Sequence, residues 1–345
     1  MKVGIIGATG YGGAELLRIL NSHPEFTISA IYSSSQQGKM IQEHYPHLTG
    51  IVPNTLEEID PIKIAEDTDL VFLAAPSGVA TKLAPSLLEA GCKVIDVSGD
   101  FRLKNTEDYE HWYQKEAAPT EWIEKAVYCL PELNRKDVQT GTQFISNPGC
   151  YPTATLLGLA PLAQSGWLVE GSVIIDAKSG VSGAGQSPSL ATIYSELNEN
   201  LKIYKVNKHQ HIPEIEQMLN KFGYSSPITF QTHLIPMTRG IMATIYGNVN
   251  TDVTEDDVWN LFSEFYRNEP FVRVREMGIF PATKEVTASN YCDIGISFDE
   301  RTGRVTIVSV IDNLMKGAAS QAVQNANIMF GFEETAGLKF SPVYP

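Results

Sequence analysis

Cys150 is the residue in this chain best placed to act as a nucleophile. It ends the segment 147–150, Asn-Pro-Gly-Cys, where a strand-like run gives way to a helical one. A cysteine at a helix N-terminus faces unpaired backbone N–H groups and the positive end of the helix dipole, and both stabilise a thiolate. The sequence therefore predicts a catalytic thiol at Cys150. Buried thiols are predicted for the remaining cysteines, Cys92, Cys129 and Cys292.

A nucleophilic thiol needs a group that moves its proton, and the segment His209-Gln-His211 is the best candidate. Pro213 suits the first turn of a helix, so both histidines are expected in the loop ahead of it, where a base is readily aimed at another element. Acid/base catalysis, substrate contact and a structural role all remain open for this pair. The sequence predicts no metal site, because no further His or Cys follows at ligand spacing.

Two loops that follow predicted strands combine a cation with flexible backbone donors. They are segment 98–102, which ends in Arg102, and the Gly/Ser-rich segment 178–185, which begins with Lys178. Carboxylate or phosphate oxygens fit such loops. The sequence therefore favours Arg102 and Lys178 as anion contacts over the alternative of solvated charges.

A glycine-rich turn directly follows the first predicted strand and opens a helix. Glycines at this position permit a tight turn and let the N–H groups of a helix N-terminus approach a pyrophosphate. The segment 7–13, Gly-Ala-Thr-Gly-Tyr-Gly-Gly, therefore predicts a dinucleotide site with contacts from Gly7, Thr9, Gly10, Tyr11, Gly12 and Gly13.

The predicted cofactor is NADP(H) rather than NAD(H). About 20 residues beyond the glycine turn, an NAD-selective fold places a carboxylate on the ribose 2′-hydroxyl. Here the segment 32–39 offers hydroxyls and a lysine instead: Ser33, Ser34, Ser35 and Lys39. A second candidate cofactor loop, at the end of another predicted strand, contains Pro76, Ser77 and Gly78.

Composition excludes several classes of protein. The chain has 345 residues, 43% hydrophobic, and a net charge of −14 without a basic cluster, so a nucleic-acid partner is not expected. The scattered cysteines are typical of a reducing compartment. The apolar stretch at the N-terminus is too short for a signal peptide or membrane span, so we expect a cytoplasmic protein with no membrane partner.

The pattern of apolar runs predicts two domains. In the first half, strand-like runs alternate with helical stretches, which is typical of a doubly wound α/β Rossmann-like sheet; they lie at 3–6, 27–32, 70–74, 93–97 and 143–146. After residue 150 an α+β domain with a mainly antiparallel sheet is expected, with strands at 172–176, 229–234, 242–249 and 304–311 and a last helix from about 313 to 329.

Eight ordered motifs, spread over almost the whole length, resemble the N-acetyl-gamma-glutamyl-phosphate reductases, a family related to aspartate-semialdehyde dehydrogenase. The motifs are the segments 7–16, 98–103, 128–135, 147–153, 178–185, 209–215, 233–240 and 312–319. The resemblance implies an NADP-binding domain of residues 1–149 plus 313–345. It also implies a catalytic and oligomerisation domain of residues 150–312, and a homodimer or homotetramer.

The resemblance further implies a reaction in arginine biosynthesis. Cys150 would attack N-acetylglutamyl phosphate to form a thioester, and NADPH would reduce that thioester to the semialdehyde. His209, favoured over His211, would move the proton, and Glu214 would orient the histidine loop. Substrate contacts are expected from Arg102, Lys178 and Asn147, and further cofactor contacts from Ser182, Gly183 and Asn313.

Three alternatives remain at this point. The same machinery could reduce aspartyl phosphate or another acyl phosphate. The spacing of Tyr204 and Lys208 also matches the Tyr-x-x-x-Lys pair of short-chain reductases. Finally, an NADP(H)-binding sensor could have kept the fold without the chemistry.

Overall fold

The computed structural model describes residues 1–250 and 252–345 and divides the chain into two compact units. The first consists of residues 1–148 and 318–340, and the second of residues 149–317 and 341–345.

Strands and helices alternate in residues 1–148, and the rest of the chain is richer in long strands. Residues 1–148 form β1 (Lys2–Ile6), α1 (Tyr11–Leu20), β2 (Thr27–Tyr32), α2 (Ile41–His44), β3 (Leu56–Glu57), α3 (Pro61–Asp67), β4 (Leu70–Leu73), α4 (Ala80–Glu89), β5 (Lys93–Asp96), α5 (Thr106–Tyr113), α6 (Thr120–Lys125), β6 (Val127–Tyr128), α7 (Pro131–Asn134) and β7 (Phe144–Ser146). The rest forms α8 (Cys150–Ser165), β8 (Ile174–Ser179), α9 (Tyr194–Leu197), β9 (Lys202–Tyr204), α10 (His211–Lys221), β10 (Thr229–Leu234), β11 (Ile241–Asn248), α11 (Glu255–Phe265), β12 (Val272–Val274), β13 (Cys292–Asp299), β14 (Arg304–Ile311), a π-helical turn (Met315–Ala319) and α12 (Ser320–Phe330).

The sheet of the first unit is parallel, with the strand order β3-β2-β1-β4-β5-β7-β6. Its central strands are apolar and almost fully buried, as expected where helices cover both faces. The chain leaves β1 towards β2 on one side and returns to β4 on the other. Ligands of open α/β sheets bind at such a reversal of strand order, beyond the carboxyl ends of the strands.

The sheet of the second unit has the order β12-β13-β14-β11-β8-β10-β9. Its pairs are antiparallel except β8 with β10 and β12 with β13. One face packs on α8, since a Cβ on Gly158 would lie 2.6 Å from Ile245 Cδ1. Residues on the opposite face of β8 and β11 remain at least partly exposed: Ile174, Asp176, Lys178, Met242, Thr244 and Tyr246.

Both predicted fold classes are confirmed, although individual boundaries differ from the sequence-based ones. β8 begins two residues later than predicted and extends to Ser179. The last helix begins at Ser320, because the π-helical turn precedes it. Among the described residues, no helix is long and apolar enough to cross a membrane.

The limits of the two units also differ from the expected domain limits. Asn313 belongs to the second unit, where its side chain accepts the N–H of Gly240 and donates to Ser182 Oγ. Residues 341–345 join the same unit, and the N–H of Val343 donates to the carbonyl of Thr287. These hydrogen bonds lie within the second unit, and the expected domain limits remain a prediction.

Candidate active site

Cys150 is the first residue of α8, and it is partly exposed, whereas Cys92, Cys129 and Cys292 are buried. The preceding Gly149 lies at the N-cap, where it has no side chain to cover the helix start. Burial raises the pKa of the Cys92 and Cys129 thiols. Of the cysteines, Cys150 therefore has the exposure and the position that a reactive thiol needs.

A buried carboxylate fixes the residue before this cysteine. Glu214 is fully buried, and its Oε1 accepts the N–H of Gly149 at 2.8 Å. Glu214 lies in the first turn of α10, one helical turn after His211. Residues three apart share a helix face, so His211 and Glu214 lie on the same side of α10. Glu214 thus lies close to the predicted histidine loop in sequence. It is also hydrogen-bonded to the residue before Cys150.

The two histidine side chains are both buried, their ring centroids lie 4.8 Å apart, and both rings lie near the ring of Tyr151. His209 is buried, with its ring 5.4 to 5.7 Å from the rings of Tyr151, Tyr204 and Phe230, and its Nδ1 accepts the N–H of His211 at 3.2 Å. Burial, with a smaller contribution from the charge of Lys205, lowers the pKa of His209 to about 3. His211 begins α10 and is slightly more exposed. His209 is therefore neutral at physiological pH.

Tyr204 does not form the reductase pair that its spacing from Lys208 permits. It ends β9, and the following residues 205–208 form a bend and turn rather than a helix. Its hydroxyl lies 3.0 Å from the hydroxyl of Tyr151, and burial raises the pKa of both phenols. The short-chain mechanism, which requires Tyr and Lys on one helix, has no support here.

Lys178 lies on the wrong face of its sheet for the predicted substrate contact. It pairs in register with Met242, whereas its neighbour Ala177 pairs with Ala243, on the face that packs against α8. Because side chains alternate along a strand, Lys178 points away from the helix of Cys150. Its Nζ lies 2.8 Å from Oδ2 of Asp176, so it is paired on the open face of the sheet.

The predicted cofactor contacts of the second unit form a local hydrogen-bonded group. Ser182 lies in a 3-10 turn, and its Oγ accepts from Asn313 at 2.9 Å. Gly183 lies beside them, since a Cβ there would be 3.0 Å from Ser179 Oγ. The carboxamide of Asn313 is thus hydrogen-bonded at both its oxygen and its nitrogen. These contacts stabilise the second unit itself. The role of Ser182, Gly183 and Asn313 in binding a cofactor stays a prediction.

In the first unit, the glycine turn fits the pyrophosphate of a dinucleotide. Gly7 has a φ of +86°, and a Cβ there would lie 2.4 Å from the carbonyl oxygen of Ala74. A Cβ on Gly13 would lie 2.4 Å from the oxygen of Gly7, so this turn requires glycine at both ends. At Gly12, by contrast, a Cβ would meet no described atom within 4 Å. The start of α1 is therefore open to an anion, and Gly10 at its N-cap has no side chain to block it.

The segment after β2 presents polar groups to solvent. Ser33 is buried, but Ser34, Ser35 and Lys39 are exposed. The carbonyl of Thr9 accepts from Tyr45 Oη at 2.8 Å, which ties the glycine turn to the chain just beyond this segment. The exposed hydroxyls and the ammonium group are suitable donors for a ribose 2′-phosphate.

The loop after β4 is arranged around the carboxylate of Asp100. Asp100 accepts the N–H groups of Gly78, Ala80 and Thr81 at 2.7 to 3.3 Å, and the hydroxyl of Tyr109 at 2.7 Å. Asp100 therefore caps the start of α4 from another loop. The N–H of Gly78 is consequently not available to a cofactor, whereas Pro76 remains exposed and Ser77 partly exposed. From the sequence, segment 98–102 is selected for Arg102 and no capping role is assigned to Asp100, because the N–H groups that Asp100 accepts lie 19 to 22 residues earlier in the chain.

Arg102 is buried and braces the end of β7. Its Nε donates to the carbonyl of Asn147 at 2.7 Å and its Nη2 to the carbonyl of Val97 at 3.0 Å. Asn147 is itself buried and donates through Nδ2 to the carbonyl of Ala318. These hydrogen bonds hold the residues that lead into Gly149 and Cys150. Within the first unit, the structure brings Arg102 and Asn147 together.

Comparisons with known proteins define the class. Residues 2–141 match the family model described as "Semialdehyde dehydrogenase, NAD binding domain", and residues 150–313 match "Semialdehyde dehydrogenase, dimerisation domain". Among solved structures, aspartate semialdehyde dehydrogenase II of Vibrio cholerae has a TM-score of 0.71 at 18% identity, covering 96% of this chain and 98% of that one. The Candida albicans aspartate semialdehyde dehydrogenase with NADP has a TM-score of 0.70 at 17% identity, covering 95% and 98%. At these identities the likeness concerns the fold.

Curated relatives show to which branch of the semialdehyde dehydrogenases the chain is most similar. The N-acetyl-gamma-glutamyl-phosphate reductases of Bacillus subtilis and Geobacillus kaustophilus are 58% and 57% identical to this chain, and each match covers 100% of both proteins. The chain therefore belongs to the semialdehyde dehydrogenase family, and within it to the N-acetyl-gamma-glutamyl-phosphate reductases.

The low pKa of His209 predicts a specific pH dependence of stability. Above the ordinary histidine pKa of about 6.5, His209 is neutral in both states, and between about 6.5 and 3 only the unfolded chain binds its proton. Stability should therefore fall as the pH falls through this window. We expect the difference in unfolding free energy between the wild type and His209→Gln to shrink by up to about 1.4 kcal/mol per pH unit.

Urea denaturation at pH 7.5, 6.0, 5.0 and 4.5 measures this difference. The matched control is His47→Gln, because His47 is exposed. A difference for His209→Gln that stays constant with pH would show that the folded protein binds the proton as readily as the unfolded chain.

Proposed function

We propose that this protein uses NADPH to reduce N-acetyl-L-glutamyl 5-phosphate to N-acetyl-L-glutamate 5-semialdehyde and phosphate, in arginine biosynthesis. Two observations support this assignment. The curated relatives, which match over their full length, are named N-acetyl-gamma-glutamyl-phosphate reductase, after this reaction. The observation that carries the chemistry is the partly exposed Cys150 at an uncapped helix start, with its neighbour held by the buried Glu214.

We propose Cys150 as the nucleophile. Its thiolate attacks the acyl carbon of the substrate, the C–S bond forms, and the C–O bond to phosphate breaks with the electron pair leaving on phosphate. The product is a thioester on Cys150. When bound, NADPH supplies the hydride that reduces this acyl group. Cys150 then leaves as thiolate, the C–S bond breaks, and the aldehyde is released.

We propose His211 as the proton-transfer group, whereas the family resemblance favours His209. His209 is neutral, surrounded by aromatic rings, and uses Nδ1 to accept a backbone N–H. His211 shares a helix face with Glu214, which contacts the residue before Cys150. In this proposal His211 accepts the proton from Sγ of Cys150 before the attack, and Glu214 is a positioning residue.

The proposed cofactor contacts follow from the fit of the first unit. The start of α1 would hold the pyrophosphate through Gly10, Tyr11, Gly12 and Gly13, with Gly7 and Thr9 shaping the turn, and Ser34, Ser35 and Lys39 would hold the 2′-phosphate. We keep Ser33, Pro76, Ser77, Gly78, Ser182, Gly183 and Asn313 as positions that shape the cofactor site. Arg102 and Asn147 remain the proposed substrate contacts, and Lys178 is withdrawn because of its place on the sheet.

We further propose a homodimer or homotetramer that works in the cytoplasm without a nucleic-acid or membrane partner. The match to a dimerisation domain over residues 150–313 supports assembly, and the open sheet face of β8 and β11 offers a surface for a second copy. The four cysteines, which form no disulfide among the described residues, support a reducing compartment.

The reverse reaction tests the substrate and the nucleophile together. N-acetylglutamate semialdehyde and NADP should give NADPH, followed by its absorbance, only when inorganic phosphate is present. Cys150→Ala should abolish this signal and retain NADP binding, because it removes the atom that forms the thioester. Cys92→Ala, which changes a buried thiol, is the matched control. Activity only with aspartate semialdehyde would move the substrate to the related acyl phosphate, and an active Cys150→Ala would refute the mechanism.

The two histidines are distinguished by paired variants. His211→Asn should lower kcat by about 10²- to 10⁴-fold and remove one limb of the pH profile, because general acid–base catalysis is lost. His209→Asn should cost less than about 10-fold and keep both limbs. The reverse ranking would return the proton-transfer role to His209.

Cofactor preference is tested at the exposed lysine after β2. Lys39→Glu places a negative charge near the proposed 2′-phosphate and should raise KM for NADP at least about 10-fold while changing KM for NAD little, since a like-charge contact costs over 1 kcal/mol. Lys136→Glu makes the same charge change at another exposed lysine of the first unit and is the control. Equal effects of both variants would mean that Lys39 does not contact the cofactor.

A further inference from the structure

Gly317 lies directly against the proposed nucleophile. A Cβ built on Gly317 would be 2.8 Å from Cβ of Cys150, 3.2 Å from its Cα and 3.3 Å from Cδ1 of Ile311. Ordinary contacts of this kind begin at 3.4 Å. Every residue other than glycine at this position must therefore displace either Cys150 or the chain around residue 317.

Gly317 lies in a π-helical turn that places it against Cys150. The turn spans Met315–Ala319, and the N–H of Gly317 donates to the carbonyl of Asp312, five residues back, at 3.0 Å. This hydrogen bond is the one that defines a π-helix, which is rare in proteins and frequent at functional sites. The turn is a local change in chain path, and its effect here is to bring a backbone without a side chain up to α8.

The turn is anchored at its start by a buried carboxylate. Asp312 is fully buried, and its Oδ1 accepts the N–H groups of Leu314 and Met315 at 2.9 and 3.2 Å. Its Oδ2 accepts the N–H of Ala288 at 2.7 Å and Nη1 of Arg239 at 3.3 Å. A charged acceptor that takes several short hydrogen bonds in the interior holds its donors tightly. Asp312, whose carbonyl accepts the N–H of Gly317, is thus tied to other segments of the second unit at Ala288 and Arg239.

We propose that Gly317 is a positioning residue for Cys150, and that the π-helical turn Met315–Ala319 sets the direction of the Cys150 thiol. This proposal rests on the catalytic role of Cys150 proposed above. Glu214 fixes the residue before Cys150 through a hydrogen bond, and Gly317 limits the space beside the Cα and Cβ of Cys150 by contact. A polar anchor and a steric stop thus act on adjacent residues of the same helix start.

The expected size of the effect follows from the distances. A methyl group at residue 317 requires a shift of at least about 0.6 Å, the difference between 2.8 and 3.4 Å. Reacting groups must be held within about 0.5 Å of the productive geometry, and a misplacement of about 1 Å costs on the order of 100-fold in rate. The shift also moves the thiol relative to the N–H groups at the start of α8, which stabilise its thiolate.

The test is the variant Gly317→Ala, measured in two ways. We expect kcat to fall about 10- to 100-fold with KM changed less than about 3-fold, because binding groups are untouched. We also expect the pH midpoint of Cys150 alkylation by iodoacetamide, read by mass spectrometry of its peptide, to move upward. The second readout needs no turnover, so it separates failure of this proposal from failure of the proposed function.

Two further variants sharpen the result. Ile311→Val in the Gly317→Ala background relieves only the contact with Ile311, so it should restore neither kcat nor the alkylation midpoint. If Gly317→Ala does not fold, Asp312→Ala, which frees the start of the turn, should raise the alkylation midpoint in its place.

Three results would overturn the proposal. One is a Gly317→Ala protein with wild-type kcat and alkylation midpoint. Another is restoration by Ile311→Val, which would make the effect a packing defect at Ile311. The third is a fall in kcat accompanied by an unchanged alkylation midpoint in both Gly317→Ala and Asp312→Ala, which would separate the turn from the thiol.

Discussion

The hydrogen bond from Gly149 N–H to the buried carboxylate of Glu214 is the constraint on which the site of the second unit depends. A carboxylate removed from water must be hydrogen-bonded, because an unsatisfied buried charge costs several kcal/mol. Glu214 therefore holds its donors whether or not a substrate is bound, and the start of α8 is fixed in advance. Pre-organisation of this kind is what a nucleophile requires, since groups that must reorganise during the reaction raise its barrier. The same carboxylate belongs to the helix that His211 begins, so one contact sets both the nucleophile and its proposed base.

In the first unit, two helix N-termini differ in whether a side chain already occupies the position of an anion. α1 and α4 both begin beyond the carboxyl ends of neighbouring strands, where an anion is favoured by the helix dipole. The start of α4 already has its anion, the carboxylate of Asp100, which accepts three backbone N–H groups. At the start of α1 the N-cap residue is Gly10 and no side chain caps the helix, and the space at Gly12 is open among the described residues. The protein thus neutralises one helix start with its own side chain and keeps the other for a ligand.

The parts of the structure that were predictable from the sequence have local causes. The glycine turn follows β1 within one residue, and Cys150 follows a Pro-Gly pair at the end of β7, so neighbouring residues determine both. Lys178 was misplaced because β8 was predicted to end at residue 176. The strand continues to Ser179, and alternation along it then sends Lys178 to the face away from α8. The cap that Asp100 forms on α4, the hydrogen bond from Gly240 to Asn313 and the contact of Gly317 with Cys150 join residues 19 or more positions apart, and no local pattern reports such contacts.

His209 and His211 are separated by a single residue, yet they make different hydrogen bonds. His209 precedes α10 by two residues, and its ring enters an aromatic cluster that excludes water. Desolvation favours its neutral form and leaves Nδ1 as an acceptor for the backbone of His211. His209 therefore stabilises the loop by being unable to take up a proton under ordinary conditions. His211, at the start of the helix, is held in place by that hydrogen bond to its N–H. In the proposed mechanism, His209 thus acts as a positioning residue for His211, through the N–H of His211 that its Nδ1 accepts.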